Sequence, residues 1–418
     1  MHVLICGAGG FLGHHLEQSL SAAGHVVVRG LRRPERPGDR RFDFAAPEPA
    51  DKWAGQLAGI DAAINCVGIL VESPGQRFID LHQRGPQALF AACRTAGVRR
   101  IVQISALGAA HGDTPYFASK RAADEFLMKQ PGEWQIVRPS LIYGPDGRSA
   151  GFFRQIASLP LLLLPADGAQ LLQPVHIDDL CATIAALLEP ATPAHQCIDV
   201  VGRHPVTTRT MLADFRRAMG FPPAPCLTVP AALMGLMARV LGRLPGSLLT
   251  PDTWKMLQAG NTGDAAAVTR LLGRPPLPLA SFIAPLDAPS ARTEALAAWR
   301  NPLLRVALAL VWIITGLISL GVYPVEESLG LLARTGLTGV AAHVALYGAA
   351  GLDLAFGWAT LFRPGRRLWL GQMALIAGYS LIVALYLPEY LAHPFGSITK
   401  NLPILALLFV LLSEETAS

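Results

Sequence analysis

Charge is scarce in this chain. Only 16% of its 418 residues are Asp, Glu, Lys or Arg, against 51% that are hydrophobic. Soluble domains carry about a quarter charged residues, so an ordinary soluble protein is excluded and membrane association is the first inference. The net charge is small as well, +5 from 35 basic and 30 acidic side chains. The arginines lie scattered among apolar segments with few aromatic neighbours, which argues against nucleic-acid binding. Cysteine pairs are missing: Cys6, Cys66, Cys93, Cys181, Cys197 and Cys226 lie well apart with no C-x-x-C spacing. Neither a disulfide framework nor a thiolate metal site is indicated, and the thiols read as buried and reduced. No internal repeat or low-complexity tract stands out. No basic leader precedes the first apolar run, so the N-terminal part is expected to remain in the cytoplasm. The length allows two or three domains.

What is present begins at the first residue. Met1-His-Val-Leu-Ile-Cys-Gly-Ala-Gly-Gly-Phe-Leu-Gly13 reads as a buried parallel strand, a glycine turn and the start of a helix over 11–23, with a second strand over 25–29. Gly7, Gly10 and Gly13 stand at G-x-x-G-x-x-G. Such a turn needs glycine where the backbone bends, where it meets a pyrophosphate and where helix packs on strand. The helix start, with the N–H groups of Phe11 and Leu12, offers a positive dipole end to phosphates. NAD enzymes of this build place an acidic residue at the end of the second strand to bind the ribose 2′-hydroxyl. Arg29 stands there, with Arg32 and Arg33 close behind. Guanidinium groups suit a 2′-phosphate, so NADP(H) is favoured over NAD(H). Asp43, at the end of a short third strand, is placed to accept from the adenine amino group. A fourth parallel strand over 61–68 brings Asn65 and Gly68 to the cofactor ribose.

A helix over 83–96 and a strand over 100–105 follow, and Ser105 ends that strand. Eleven residues on, Thr114-Pro115 starts a helix with Thr114 as its cap. Within it, Tyr116-Phe-Ala-Ser-Lys120 sets a phenol and an ammonium at i and i+4 on one face. A phenol titrates near pH 10, and a nearby ammonium lowers that value by stabilising the phenolate. The shift brings Tyr116 toward the range of efficient proton transfer. Ser105 would hold a substrate carbonyl against the Tyr116 hydroxyl.

These pieces, with Asn65-Cys-Val-Gly68, Ile104-Ser-Ala-Leu-Gly108, Arg138-Pro-Ser-Leu-Ile-Tyr-Gly-Pro145 and Val175-His-Ile-Asp-Asp-Leu180, occur in order across the first 220 or so residues. In that order they resemble the short-chain dehydrogenase/reductase superfamily, on its extended and atypical side. The pattern is most similar to the group containing the NAD(P)H-binding accessory subunit of respiratory complex I, with its epimerase-like bacterial relatives. The resemblance implies a Rossmann fold, bound NADP(H) or NAD(H), and Ser105, Tyr116 and Lys120 as the active-site trio. It also implies that Lys120 touches the nicotinamide ribose and that Pro139 and Ser140 line the nicotinamide end. Several atypical members hold a dinucleotide without established turnover, so the trio alone does not make an enzyme.

His176 and Asp178 read as a hydrogen-bonded imidazole and a helix cap supplied by Asp178, rather than as a catalytic pair. Residues 230–244 form an apolar helix with Leu233, Met237, Val240, Leu241 and Leu244 on one face and Arg239 and Arg243 beside it. A lipid-surface contact, a roof over the substrate cleft and plain core all stay open for it. After residue 300 the chain turns strongly apolar, with stretches at 303–320, 339–362, 368–387 and 398–412. Each approaches the roughly twenty residues that cross a bilayer. Arg300 and Arg305, and the group Arg363, Arg366 and Arg367, place the first domain, the central loop and both termini on the cytoplasmic side of a bacterial inner membrane. This region resembles the DoxX-like membrane family, most clearly at Pro394-Phe-Gly-Ser-Ile-Thr-Lys-Asn-Leu-Pro403. Asp353 within a span is a functional candidate, with His343 as a companion.

The sequence therefore predicts an α/β Rossmann domain with a doubly wound parallel sheet over 1–220, a partly helical cap or linker over 221–300, and an all-α domain of four transmembrane helices over 301–418. The function expected is NAD(P)H-dependent oxidation or reduction of a carbonyl or alcohol, with a lipophilic substrate such as a quinone or polyprenoid. A non-catalytic assembly or redox-sensing module and an epimerase or dehydratase are the rivals. Membrane lipid is the expected partner, nucleic acid is not, no metal is expected, and a homo-oligomer or membrane complex stays open.

Overall fold

The computed structural model describes residues 1–244, 246–391 and 398–415, in two compact units, Met1–Ala295 and Leu296–Ser418. In the first unit, seven strands form one parallel sheet: β1 (His2–Cys6), β2 (Val26–Leu31), β3 (Arg40–Arg41), β4 (Ala62–Asn65), β5 (Arg100–Ile104), β6 (Glu133–Pro139) and β7 (Gln196–Val200). They run in the order β7-β6-β5-β4-β1-β2-β3. The order reverses between β1 and β4, and open α/β sheets bind ligands at the carboxyl ends of the strands beside such a reversal. Alternate side chains of a strand face opposite layers. Val3 and Ile5 join the apolar cluster with Leu16, Leu20 and Ile184 on one face of the sheet. Leu4 and Cys6 join Leu89, Phe90 and Leu127 on the other. Burial on both faces explains why these strands read as unbroken apolar runs.

Local boundaries shift in three places. β2 runs on to Leu31, past the expected end at Arg29. β3 is only Arg40–Arg41, because Phe42 and Phe44 turn inward to pack on Trp53, with ring centroids 5.1 and 5.6 Å away. The helix expected over 83–96 is Gly85–Thr95, preceded by a wide π-turn at Ile79–Arg84. The segment after 220 is packed structure rather than linker. Phe282 and Ile283 share a buried cluster with Tyr143, Met211 and Phe215, and Phe221 and Leu257 pack against it.

Among the described residues, three helices are long and apolar enough to cross a membrane: Ala288–Val322, which begins within the first unit, Gly339–Phe362 and Arg366–Tyr386. The fourth apolar run folds as Asn401–Glu414, 14 residues long and so shorter than a span. Of the family-like stretch before it, residues 394–397 lie outside the described residues. Between the first two of these long helices lies a short helix, Val325–Arg334. Inside the second unit Trp312 Nε1 donates to Gln372 Oε1 at 2.9 Å, and Gln372 Nε2 donates to Thr360 Oγ1 at 2.8 Å. Asp353 is buried with Oδ1 unpartnered. The pairing with His343 is not formed: that imidazole is exposed and bonds the Gly339 carbonyl of its own helix at 3.0 Å.

Candidate functional site

The glycine turn links β1 to helix Phe11–Ala22. Gly7 has φ +83°, and a Cβ there would lie 3.1 Å from Val67 N. A Cβ on Gly13 would lie 2.2 Å from the Gly7 carbonyl oxygen, so helix and strand approach too closely for any side chain. Gly10 caps the helix without a side chain, and no acidic residue stands in the first turn. The leading N–H groups, those of Phe11, Leu12 and Gly13, are therefore open to an anion. The Phe11 ring itself packs over the loop beyond β6, where a Cβ on Gly144 would meet it at 2.7 Å. This cradle fits the pyrophosphate of a dinucleotide.

Beside it, the arginines divide. Arg29 is buried on β2 and held by Glu17 at 3.5 Å, Glu35 at 3.0 Å and Asp39 at 3.7 Å. Three carboxylates already answer its charge. Arg32 and Arg33 follow the true end of β2, and with Pro34, Arg41 and Asp43 they line an open groove. Asp43 Oδ1 accepts from the Ala45 backbone at 3.1 Å. Asn65 is fully buried and structural: its Nδ2 donates to Gln103 Oε1 at 2.7 Å and its Oδ1 accepts from Val67 N at 3.1 Å.

Ser105 follows the carboxyl end of β5, and Tyr116 and Lys120 stand one turn apart on the next helix, from which Lys120 reaches back to that strand. Thr114 caps helix Pro115–Met128 by accepting from Phe117 N, worth about 1 kcal/mol, and this fixes the helix that carries Tyr116 and Lys120. Lys120 is buried and Nζ donates to the Ile104 carbonyl at 3.1 Å. A Cβ on Gly68 would come 3.0 Å from Nζ, so glycine at 68 makes room for the ammonium. Burial lowers the Lys120 pKa to about 8, against the pull of Asp124. The Tyr116 ring is walled by Phe78, His82 and Phe117 at 5.9, 5.4 and 5.4 Å, and burial pushes its phenol up to about 12. Desolvation sets the shift, the lowering expected from Lys120 is not found, and Tyr116 keeps its proton at neutral pH. Ser105 is buried and donates to Asp124 Oδ2 at 2.6 Å. Pro139 ends β6, and its carbonyl accepts from Leu107 N at 2.9 Å. Ser140 beyond it donates to the Gln173 carbonyl at 2.6 Å.

Two residues of this site went unread in the sequence. Asp124 continues the i, i+4 series from Tyr116 through Lys120, so the helical period carried the signal. Burial raises it to about 6, against Ser105, Arg138 and Lys120, and Arg138 Nε stands 3.8 Å away. His82 is fully buried. Its Nε2 accepts from Ile69 N at 2.9 Å, which leaves the proton on Nδ1 to face Ser119 Oγ at 3.0 Å. Burial, with Lys120 nearby, lowers its pKa to about 2, so it is a neutral brace for the loop after Gly68. Nothing in the sequence around His82 announces this. Farther off, the cap of helix Ile177–Leu188 is His176, whose Nδ1 accepts from Asp178 N at 3.3 Å, and not Asp178. The imidazole wins the position because its ring also stacks on Tyr143 at 5.9 Å. Among the described residues no group of three His, Cys, Asp or Glu is placed to hold a metal.

Residues 3–200 match the model of the NAD dependent epimerase/dehydratase family, and residues 309–409 match the DoxX-like family. A ceramide reductase from Caulobacter vibrioides is 30% identical over 271 residues, covering 61% of this chain and 78% of that protein. Two solved structures share the fold. A nucleoside-diphosphate-sugar epimerase from Staphylococcus aureus aligns with TM-score 0.55 at 18% identity, over 68% of this chain and 99% of its own. An NADPH-dependent quinone oxidoreductase from Escherichia coli, solved with NADPH, aligns with TM-score 0.53 at 17% identity, over 66% and 97%. With its glycine cradle and with Tyr116 and Lys120 one turn apart on a single helix, the chain belongs to the NAD-dependent epimerase/dehydratase family, an SDR-type, NAD(P)-dependent oxidoreductase domain followed by a DoxX-like domain.

Proposed function

We propose that this protein is a membrane-associated reductase that draws on NADPH in preference to NADH and reduces a carbonyl on a lipophilic substrate. The observation that carries the reading is the placing of Tyr116 and Lys120 one turn apart on helix Pro115–Met128, with Lys120 bonded to the end of β5 and fitted against Gly68, and Tyr116 still protonated. The reduced nicotinamide, when bound, supplies a hydride to the carbonyl carbon. Tyr116 supplies the proton to the carbonyl oxygen, so ketone, hydride and proton together give the alcohol. Lys120, charged below about pH 8, stabilises the phenolate left behind and hydrogen-bonds the nicotinamide ribose. Ser105, oriented by Asp124, holds the substrate oxygen. Gly7, Gly10 and Gly13, with the N–H groups of Phe11 and Leu12, hold the pyrophosphate. Arg32, Arg33 and Arg41 favour a 2′-phosphate, because none of them is committed to an ion pair among the described residues.

The lipophilic substrate rests on the DoxX-like region, on the three apolar helices and on the relative named as a ceramide reductase. A long-chain ketone is the substrate class most in keeping with that relative, with quinones next. The positive residues Arg363, Arg366 and Arg367 support a topology with the loop between the second and third spans on the cytoplasmic side of a bacterial inner membrane, the side proposed for the nucleotide-binding unit as well. A cytoplasmic C-terminus is part of the same proposal and requires the fourth apolar run to cross as well. The test is to purify the protein in detergent, titrate NADPH and NADH separately, and follow reduced-nicotinamide absorbance against long-chain ketones and quinones in mixed micelles. Tighter NADPH binding and oxidation dependent on an acceptor support the proposal. Equal affinity for both cofactors refutes the preference, and tight binding with no turnover across the panel favours a sensing or assembly role.

A further inference from the structure

We propose that helix Ala231–Leu241 of the first unit is a lipid-docking element that seats on an anionic bilayer surface. Leu233, Leu236 and Val240, with Leu244 just beyond, are exposed by 48% to 58%. Their spacing sets them on one helical face. Ala238, on the opposite side, is fully buried, and the helix packs on Pro251–Ala259, so its orientation is fixed and the apolar face is left uncovered. The strand leading into it extends the pattern. Leu227 of Cys226–Val229 pairs with Leu163 of Leu162–Pro165, and both leucines are exposed. Soluble surfaces seldom leave large aliphatic side chains grouped in this way without a partner.

Charge and tethering identify the partner. Arg239 and Arg243 flank the apolar face, exposed and without ion pairs among the described residues. No acidic residue occurs in the sequence between Asp214 and Asp252. Arginine stems lie along apolar surface while their heads reach anionic head groups, and apolar residues beside a basic flank are the pattern of helices that lie in the membrane interface. Among the described residues the same chain carries three helices long and apolar enough to cross a membrane, so a bilayer is the surface to which this chain is already tethered. A protein partner of acidic character fits the arginines but not the tethering. The proposal is separate from the reductase reading, since depth in the membrane is measured without turnover.

The test uses the full chain in nanodiscs, on a background with Cys197→Ser and Cys226→Ser to remove the exposed thiols. Leu236→Cys carries an environment-sensitive fluorophore, and Arg203→Cys, on an exposed loop of the same unit, serves as the reference site. Discs contain phosphatidylcholine alone or with phosphatidylglycerol, each with and without a shallow spin-labelled lipid. The expected result is blue-shifted emission at position 236 and quenching by the spin-labelled lipid, several-fold stronger with phosphatidylglycerol, while position 203 stays unquenched. Arg239→Glu with Arg243→Glu should remove the dependence on phosphatidylglycerol. Water-like, unquenched emission at 236 overturns the proposal. So does blue-shifted emission that spin-labelled lipid leaves unquenched, since it means that protein, a second copy included, covers the face. Val240→Cys repeats the measurement one turn away and guards against a local defect at 236.

Discussion

Asp124 accepts a 2.6 Å hydrogen bond from the Ser105 hydroxyl and lies on the same helical face as Lys120 and Tyr116. This one carboxylate acts on two of the groups proposed for the chemistry, orienting Ser105 through the bond and raising the proton affinity of Lys120 through its charge. Asp124→Asn keeps an acceptor for Ser105 but removes the charge. The alkaline limb of the rate profile should then move to lower pH while turnover at pH 6 changes little. Asp124→Ala removes both and should lower kcat on the order of tenfold or more. A pH–rate profile of the three proteins decides the point, and an unmoved limb in the Asn variant shows that Asp124 does not tune Lys120.

Lys120 sets a second pH dependence. Its folded pKa of about 8 lies below the ordinary lysine value of 10.5, so between those values the unfolded chain holds more protons. Stability therefore rises with pH through that window, and the contribution is lost as pH falls to 8. Activity runs the other way, since the working form is charged, and reduction should decline as pH rises through 8. Measured turnover that stays level from pH 6 to 10 contradicts the role given to the ammonium.

Tyr116→Phe removes the proton donor and leaves the ring and its aromatic neighbours in place. Turnover should fall by about 10²- to 10⁴-fold, with NADPH affinity retained. Intrinsic fluorescence quenching by NADPH measures the second quantity independently of the first. Equal turnover in both proteins removes Tyr116 as the proton donor, and binding without turnover in either favours the assembly or sensing reading.

The arginines should separate by experiment. Arg32→Ala with Arg33→Ala is expected to weaken NADPH binding by roughly tenfold or more, in keeping with the loss of charge-assisted phosphate contacts, and to leave NADH binding unchanged. Arg29→Ala instead breaks the cluster with Glu17, Glu35 and Asp39 and should lower thermal stability without altering the cofactor preference. Isothermal titration with both cofactors, alongside melting curves, reads out each.

Gly13→Ala places a Cβ 2.2 Å from the Gly7 carbonyl oxygen. Overpacking of this kind costs about 1 to 3 kcal/mol, and the shifted turn should no longer bind dinucleotide. A variant with wild-type affinity for NADPH removes the glycine cradle from the account.

Much of this was legible because local signals agreed with the fold. Gly7 to Gly13 carried the strand, the turn and the helix start, and Thr114-Pro115 marked the helix that presents Tyr116 and Lys120. The residues that stayed hidden depend on partners distant in sequence. His82 is defined by Ile69 and Ser119, and Arg29 by Glu17, Glu35 and Asp39, none of which a periodicity reveals. The direction of the Tyr116 shift was missed for a related reason. The helical spacing shows the ammonium, but the desolvation comes from Phe78 and His82 on another segment. In the second unit, hydropathy marked four apolar runs, yet helix length separates three of them from Asn401–Glu414.

The most direct measurement of the central claim is isotope transfer in a single turnover. The detergent-purified protein is mixed with NADPH labelled with deuterium at the transferable position and with a long-chain ketone in mixed micelles, and the extracted lipid is analysed by mass spectrometry. The account predicts an alcohol carrying one deuterium on the former carbonyl carbon, formed by the wild type and lost in Tyr116→Phe. Unchanged ketone with fully retained label on the bound cofactor, across ketones and quinones alike, contradicts it.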